Sequence, residues 1–197
     1  VLLLHGQPDT ASVWRYQIDA LVKAGYRVIA PDMIGYGQTD KPQETARYQG
    51  ELIIGDMVAL LDALELKQVD VIGHDWGAFV SWELVLNLPE RFRRHVAVSV
   101  GHPDRMMSMS GPEEVKESWY MYLNSLYAAK DGEFFKHFII PTHPEIDEVW
   151  SRMQNPSALN GMLNWDRANQ MSSFYLAMVS GESEPRKGQV PTLGIWS

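Results

Sequence analysis

Short apolar runs alternate with amphipathic stretches over the first hundred residues. Apolar runs bounded by turn signals predict buried strands at residues 1–4, 26–30, 68–72 and 95–100. Residues 12–24 repeat apolar side chains at helical spacing and predict an amphipathic helix. A second predicted helix has an apolar face formed by Leu52, Ile53, Met57, Leu60, Leu61 and Leu64. This alternation predicts an α/β protein with a mostly parallel sheet and helices on both of its faces.

The pattern changes after Pro103. Residues 104–188 lose the strand signals and become helical and rich in aromatic residues and methionines, and a strand pattern resumes at 189–197. We therefore predict a first part of the core at 1–103, an inserted helical lid at 104–188 and a return strand of the core at 189–197. Some of the lid side chains are expected to line an apolar cavity.

Composition narrows the class of partner. The chain has 197 residues, 45% of them hydrophobic and 21% charged, which is ordinary for a globular protein with one core and an insertion. A net charge of -8 disfavours nucleic acids and anionic membrane surfaces. The absence of cysteine excludes disulfides and thiolate metal sites. We expect a cytoplasmic protein without a metal or other cofactor, and the sequence indicates no oligomeric state.

A glycine-flanked turn separates the third predicted strand from a helix. Gly73-His74-Asp75-Trp76-Gly77 follows the apolar run at 68–72 and precedes a helical stretch that ends near Leu88. A strand, a sharp turn and a helix form the layout of a nucleophile elbow. Glycines are needed on both flanks because the helix packs close behind the turn. Asp75 is the central residue, held at the helix N-terminus where the dipole favours an anion.

Asp75 indicates a particular chemistry. A carboxylate in this position attacks carbon and forms an ester intermediate. The reaction class is therefore hydrolysis of an epoxide or an alkyl halide, whereas a serine or cysteine would indicate acyl transfer. The alternative is a helix N-cap, for which aspartate is a favoured residue. The turn motif alone leaves both interpretations open.

A second motif favours the catalytic interpretation. His5-Gly6-Gln7-Pro8 follows directly on the apolar run at 1–4. Gly6 allows the backbone to approach the site closely, and Pro8 fixes the loop and is a candidate for a cis peptide bond. We expect the N–H groups of Gln7 and Trp76 to form a pair of oxyanion donors. The alternative for this motif is an ordinary strand-to-helix turn.

With further motifs, these stretches resemble the epoxide hydrolase branch of the α/β-hydrolase superfamily. The likeness covers nearly the whole chain. In addition to the two motifs above, the matching stretches are 32–40, 99–103, 118–121 and 163–167. The resemblance implies an α/β-hydrolase fold and the conversion of a small apolar epoxide and water to a vicinal diol. In this scheme Asp75 attacks the less hindered ring carbon, and a histidine oriented by a second carboxylate then activates water.

The resemblance assigns leaving-group donors to the lid. Tyr120 matches the first lid tyrosine of the family. The second is expected after Asn164-Trp165, where this chain has Asp166. An ionised aspartate only accepts hydrogen bonds, whereas one kept protonated by burial could donate. Three alternatives stay open: Tyr120 acts alone, Asp166 is a neutral acid, or the substrate is not an epoxide.

The orienting acid and the catalytic histidine of the family are expected after Ser197. The chain also begins inside a strand and without a starting methionine. We therefore interpret it as a fragment of a longer hydrolase that does not turn over by itself. His5 and His74 belong to backbone-shaping motifs, and His102 is the least implausible substitute base.

Two other functions remain as alternatives. In a haloalkane dehalogenase, the indole N–H of Trp76 and the amide of Gln7 would bind the halide, and Gln7 is notable because the epoxide branch commonly has an aromatic residue there. In a non-catalytic hydrolase fold, the same cavity would bind a ligand without converting it.

Overall fold

A computed structural model of the chain describes residues 1–104, 136, 142–169 and 185–196. The strands there are β1 (Leu2–Leu4), β2 (Val69–His74), β3 (Phe92–Val98) and β4 (Thr192–Ile195). The helices are α1 (Arg15–Lys23), α2 (Gly50–Ala63), α3 (Trp76–Asn87), α4 (Ile146–Met153) and α5 (Pro156–Ala168). Short 3-10 segments lie at Ala11–Trp14, Thr45–Tyr48 and Pro89–Arg91. Within these residues, no helix is long and apolar enough to span a bilayer.

The four strands form one sheet in the order β1-β2-β3-β4, and each neighbouring pair is parallel. Leu3 and Ile72 are register partners, and both pack in a cluster with Ile18 of α1. Gly73 points to the opposite face, because successive residues of a strand alternate between faces. There it lies directly against Ser81 of α3. The predicted parallel sheet with helices on both faces is confirmed.

The strand predicted at 26–30 is wrong in extent. The structure has only an isolated parallel bridge between Leu2 and Ile29. Leu3 N–H donates to Ile29 O at 2.8 Å, and Ile29 N–H donates to Val1 O at 2.9 Å. Among the described residues, β1 is the one strand that pairs with this segment, and β1 is three residues long. An apolar pattern does not reveal how many partners a strand has, so the pattern alone predicts a full strand here.

Two other predicted elements are shifted. In α2 the buried face consists of Ile53, Met57 and Leu61, whereas Leu52 is 40% exposed. Residues four apart lie on one face of a helix, and Leu52 is turned away from that row. The strand predicted at 95–100 begins earlier, at Phe92, and ends at Val98.

The described residues divide into two compact units. The first comprises Val1–Met33, 50–104 and 185–196 and contains the sheet. The second combines Ile34–Gln49 with α4, α5 and residue 136. Trp165 Nε1 of α5 donates to Ile34 O at 2.9 Å, which fastens the helix to the first of these stretches. Residues 34–49 therefore group with α4 and α5. The predicted division into a core at 1–103, a lid at 104–188 and a return strand at 189–197 stays a prediction.

In the first unit, an arginine links two carboxylates that lie far from it in sequence. The Arg186 guanidinium binds Glu83 of α3 at 2.8 Å and Asp104 at 2.7 Å. The backbone N–H of Arg186 also donates to Asp104 Oδ2 at 2.8 Å. These bonds from Arg186 lower the pKa of Asp104. We call these three residues the Arg186 clasp.

A buried histidine connects β3 to its neighbours. His95 Nε2 lies 2.8 Å from Ser81 Oγ of α3, and Nδ1 lies 3.3 Å from Thr192 Oγ1 of β4. Ser81 Oγ donates to Ala78 O at 2.9 Å, so it accepts from Nε2–H of the imidazole. Burial lowers the pKa of His95 to about 4. At neutral pH the ring is therefore uncharged.

His95 predicts a loss of stability in acid. Its pKa falls from 6.5 in the unfolded chain to about 4 in the fold. The unfolded state therefore binds the proton first, and the free energy of unfolding decreases as pH falls from 6.5 towards 4. The full shift corresponds to about 3 kcal/mol. Urea denaturation at pH 7 and pH 5 should show a smaller acid loss for His95→Gln than for the unchanged protein. Equal losses in the two proteins would contradict this assignment, and His143→Gln, at a partly exposed position, is the control.

Candidate active site

Asp75 occupies the turn between β2 and α3 in a strained conformation. Its φ of 53° and ψ of -123° lie where side chains other than glycine are rarely found. Its carbonyl oxygen accepts from Ala78 N–H at 2.8 Å and Phe79 N–H at 3.0 Å, and these bonds begin the helix. Asp75 holds the N-cap position, but its side chain does not make the usual capping hydrogen bond to the second or third N–H of α3. The carboxylate is therefore directed to other partners.

The loop after β1 supplies such a partner. Gln7 N–H donates to Asp75 Oδ1 at 2.8 Å. A Cβ on Gly6 would overlap the Asp75 side chain, so only glycine permits this approach. The Gln7–Pro8 peptide bond is cis, and Asp9 N–H closes the turn on Gly6 O at 3.0 Å. The backbone of Trp76 also donates to the Asp75 carboxylate. The two N–H groups expected to form an oxyanion site thus converge on Asp75.

His5 braces the same loop. It is buried, and its Nε2 accepts from Met33 N–H at 2.9 Å. A nitrogen that accepts from a backbone N–H carries no proton, so the proton of the neutral ring is on Nδ1. Nδ1 then donates to Gly6 O at 2.9 Å. His5 therefore holds the Gly6–Gln7 peptide, which carries the Gln7 N–H donor, and this is a positioning role.

Close backbone packing surrounds the elbow. A Cβ on Gly73 would meet Gly77 O, and would lie 2.6 Å from Ala78 Cα. A Cβ on Gly77 would meet Leu4 O of β1 and lie 2.6 Å from His5 O. The obstructing atoms are mostly backbone atoms, which cannot rotate away. Both flanks of the elbow therefore require glycine.

Opposing effects set the charge state of Asp75. Burial raises the pKa of this carboxyl above its ordinary value of 3.8, and the negative charge of Asp9 raises it further. The N–H groups of Gln7 and Trp76 and the nearby His74 lower the pKa. Burial is the largest of these effects, so the net shift is upward. The carboxylate is less solvated than one on the surface and more prone to give up its charge.

Asp9 was missed by the sequence analysis. Its side chain is buried, and its charge acts on Asp75. The available signal was its place two residues after Gln7, inside the loop that approaches the elbow. Nothing in the residue pattern distinguished it from an ordinary turn aspartate.

Side-chain polar atoms of two motif residues lie buried without a hydrogen-bond partner. They are Gln7 Oε1 and His74 Nδ1. A buried polar atom without a partner costs about 1–3 kcal/mol, so such atoms are rare in folded proteins. Around the elbow they mark positions where a further hydrogen-bonding group fits.

His102 is not arranged as a base within the part of the chain that the structure describes. Its ring lies 4.9 Å from the ring of Trp82, centroid to centroid, and both of its ring nitrogens are buried without a partner. The carboxylate of Asp104 is engaged by Arg186. No described carboxylate therefore hydrogen-bonds to His102, as orientation of a catalytic histidine requires.

The structure describes Asp166 but not Tyr120, the two residues that the sequence analysis considers as lid donors. Asp166 is buried on α5 in the second unit. Its charge raises the pKa of the neighbouring Arg167, although burial of Arg167 is larger and lowers it. Tyr120 and Ser197 lie outside the described residues. Among the residues that are described, no group of three or more His, Asp or Glu side chains is placed to bind a metal.

A parallel sheet whose strand–turn–helix elbow presents a carboxylate to two backbone donors is the architecture of an α/β hydrolase. The chain matches the alpha/beta hydrolase fold family over residues 1–183 and belongs to that family.

Named relatives are similar over much of the chain. It is 36% identical to an epoxide hydrolase of Caballeronia sordidicola, over 84% of this chain and 46% of that protein. It is 32% identical to an AB hydrolase superfamily protein of Bacillus subtilis, over 100% of this chain and 72% of that protein. A solved structure from work on novel epoxide hydrolases in metagenomes from hot environments has a TM-score of 0.80 and 27% identity, and covers 99% of this chain and 72% of that chain. This chain thus spans less than half the length of the first relative.

The packing at the elbow predicts opposite effects for two glycine substitutions. Gly73→Ala forces a Cβ into backbone atoms and should lower the free energy of unfolding by about 1–3 kcal/mol or more. Gly55→Ala, in the interior of α2 with no atom within 4 Å of the new Cβ, should raise it by about 0.5–1 kcal/mol. Urea denaturation of both variants measures the difference. Similar changes in the two variants would show that the elbow is not tightly packed.

Proposed function

We propose that this protein is a hydrolase that opens epoxides through an ester on Asp75 and releases vicinal diols. The observation that carries the proposal is the hydrogen bond that Gln7 N–H donates to Asp75 Oδ1. The backbone of Asp75 is strained, because its φ is positive. A merely capping aspartate needs neither the strain nor a donor from a loop 68 residues away. The names of the Caballeronia relative and of the metagenomic structures support an epoxide as substrate.

In the first step Asp75 is alkylated. Gln7 N–H holds Oδ1, which leaves Oδ2 to attack a ring carbon. The new bond joins Oδ2 to that carbon, and the carbon–oxygen bond of the ring breaks with its electron pair going to the ring oxygen. That oxygen takes a proton from a donor, for which Tyr120 is our proposal. The raised pKa of Asp75 reflects weak solvation, and a poorly solvated carboxylate has less water to shed before it attacks.

In the second step water cleaves the ester. It attacks Cγ of Asp75 and gives a proton to a base, while negative charge develops on Oδ1. We assign the N–H groups of Gln7 and Trp76 as the donors to this oxyanion, and one such donor is typically worth about 3–4 kcal/mol. The Cγ–Oδ2 bond then breaks with its electron pair going to the diol oxygen, which takes the proton held by the base. The second proton of the attacking water returns to the donor of the first step, the diol leaves and the carboxylate is restored. We propose that the base is a histidine, that a carboxylate orients it, and that both lie outside the described residues.

The same carboxylate could displace a halide, so the substrate class needs a direct test. The relatives reported above favour the epoxide, because those named for an activity are epoxide hydrolases. Asp166 argues against an epoxide, because it stands where the second lid tyrosine is expected and an ionised carboxylate does not donate to a developing alkoxide. We propose that Tyr120 supplies that proton alone.

Asp75→Asn should remove covalent modification and diol formation. The protein is incubated with 1,2-epoxybutane or 1-bromobutane, and intact mass spectrometry measures an added substrate mass while the diol and bromide are assayed. We expect an adduct on Asp75 or diol with the epoxide, and neither with the variant. Asp56→Asn, at an exposed position of α2, is the matched control and should behave as the unchanged protein. Adduct formation that persists in freshly prepared Asp75→Asn excludes the assignment, and bromide release without diol selects the dehalogenase.

The rate of alkylation should fall in acid, with a midpoint above 3.8. Burial raises the pKa of Asp75 from that value, so protonation removes the nucleophile at a higher pH than for a surface aspartate. Asp9→Asn should move the midpoint down, because it removes a charge that raises the pKa. The profile is measured as single-turnover adduct formation from about pH 3 to about pH 8, a range that includes the ordinary aspartate pKa of 3.8. A midpoint at or below 3.8, or one that does not respond to Asp9→Asn, contradicts this account.

A further inference from the structure

Gln7 contributes two different groups beside the nucleophile. Its backbone N–H is occupied by Asp75 Oδ1 at 2.8 Å. Since an N–Cα bond is about 1.5 Å long, the Cα of Gln7 lies within about 4 Å of that oxygen. The Gln7 side chain therefore begins close to the Asp75 carboxylate. Its carboxamide has no part in holding Asp75, because the backbone makes that bond.

The carboxamide oxygen of Gln7 is buried and has no hydrogen-bond partner. Among the buried, unpartnered side-chain atoms in the described part of the chain, it is the one that can only accept a hydrogen bond. Indole and imidazole nitrogens make up most of the others, and a neutral imidazole can present either a donor or an acceptor. Burial of such an oxygen is unfavourable unless a donor reaches it. A group that satisfies this oxygen carries an O–H or N–H.

The position makes a substrate group the fitting donor. An apolar side chain at position 7 would serve the N–H donor equally well, since that donor belongs to the backbone. A glutamine adds a buried polar atom to the residue whose backbone N–H holds the Asp75 carboxylate. A hydroxyl on the carbon next to an epoxide ring is the simplest substrate group that donates to such an oxygen.

We propose that Gln7 selects epoxides whose substituent carries a hydrogen-bond donor, such as 2,3-epoxy alcohols, through an O–H to Oε1 bond. This inference rests on the proposed ester chemistry of Asp75. Gln7 is a specificity-determining residue in this role, and its side chain takes no part in bond making. The reaction is otherwise unchanged: Oδ2 bonds to a ring carbon and the ring oxygen takes a proton.

The test compares two epoxides with the same number of heavy atoms. Glycidol carries a hydroxyl where 1,2-epoxybutane carries a methyl group. Adduct formation on Asp75 is followed by intact mass spectrometry, and diol by chromatography, for the unchanged protein and for Gln7→Met, which keeps the length and the backbone N–H but lacks the acceptor. Gln17→Met, exposed on α1, is the matched control. The ratio of the glycidol rate to the epoxybutane rate should fall at least fivefold in Gln7→Met, about 1 kcal/mol, and stay constant in Gln17→Met.

A second readout separates selection from a structural role. Because Oε1 has no partner in the fold, Gln7→Met should leave the midpoint of urea denaturation unchanged or raise it. A lowered midpoint would show that the oxygen is satisfied inside the protein and would overturn the inference.

The outcomes distinguish the inference from the function on which it rests. Adducts with both epoxides and an unaltered ratio in Gln7→Met overturn the selection by Gln7 and leave the Asp75 chemistry standing. A variant that changes only the lifetime of the ester assigns Oε1 to the attacking water and likewise overturns it. No adduct or diol from either epoxide overturns the nucleophile assignment and the inference together.

Discussion

The hydrogen bond between Gln7 N–H and Asp75 Oδ1 is the contact on which the site depends. It joins residues far apart in sequence because β1 and β2 are parallel neighbours, so the loops after both strands leave the same edge of the sheet. Gly6 permits the approach. His5, which accepts from Met33 N–H, holds the Gly6–Gln7 peptide that carries the donor. The geometry of this bond is thus a product of strand pairing and backbone packing, and no flexible side chain supplies the donor.

Burial and hydrogen bonding act against each other at Asp75. Loss of water disfavours the carboxylate, and the backbone donors of Gln7 and Trp76 restore part of its stabilisation. Fixed N–H groups differ from water because they do not reorganise when charge moves during a reaction. The nearby Asp9 shifts the same balance towards the protonated form. The charged form of the Asp75 carboxyl is therefore only partly stabilised.

The sequence predicted features that depend on local pattern, and was less informative about those that depend on neighbours. The elbow, the preceding strand and the glycine requirement follow from spacing and backbone geometry, so residues 73–77 lie where expected. The predicted extent of the strand at 26–30 was wrong because the number of strand partners is a property of the sheet. The grouping of 34–49 with α5 arises from contacts such as Trp165 with Ile34, more than a hundred residues apart. The role of Asp9 could not be predicted, because its charge affects the pKa of Asp75 only through burial beside it.

The Arg186 clasp brings together positions that are far apart in the chain. One guanidinium binds Glu83 of α3 and also Asp104, although 82 residues separate Asp104 from Arg186. The entropy lost on closing a long loop grows only slowly with its length, by about 0.6 kcal/mol for each doubling. The clasp therefore constrains the number of residues between Asp104 and Arg186 only weakly.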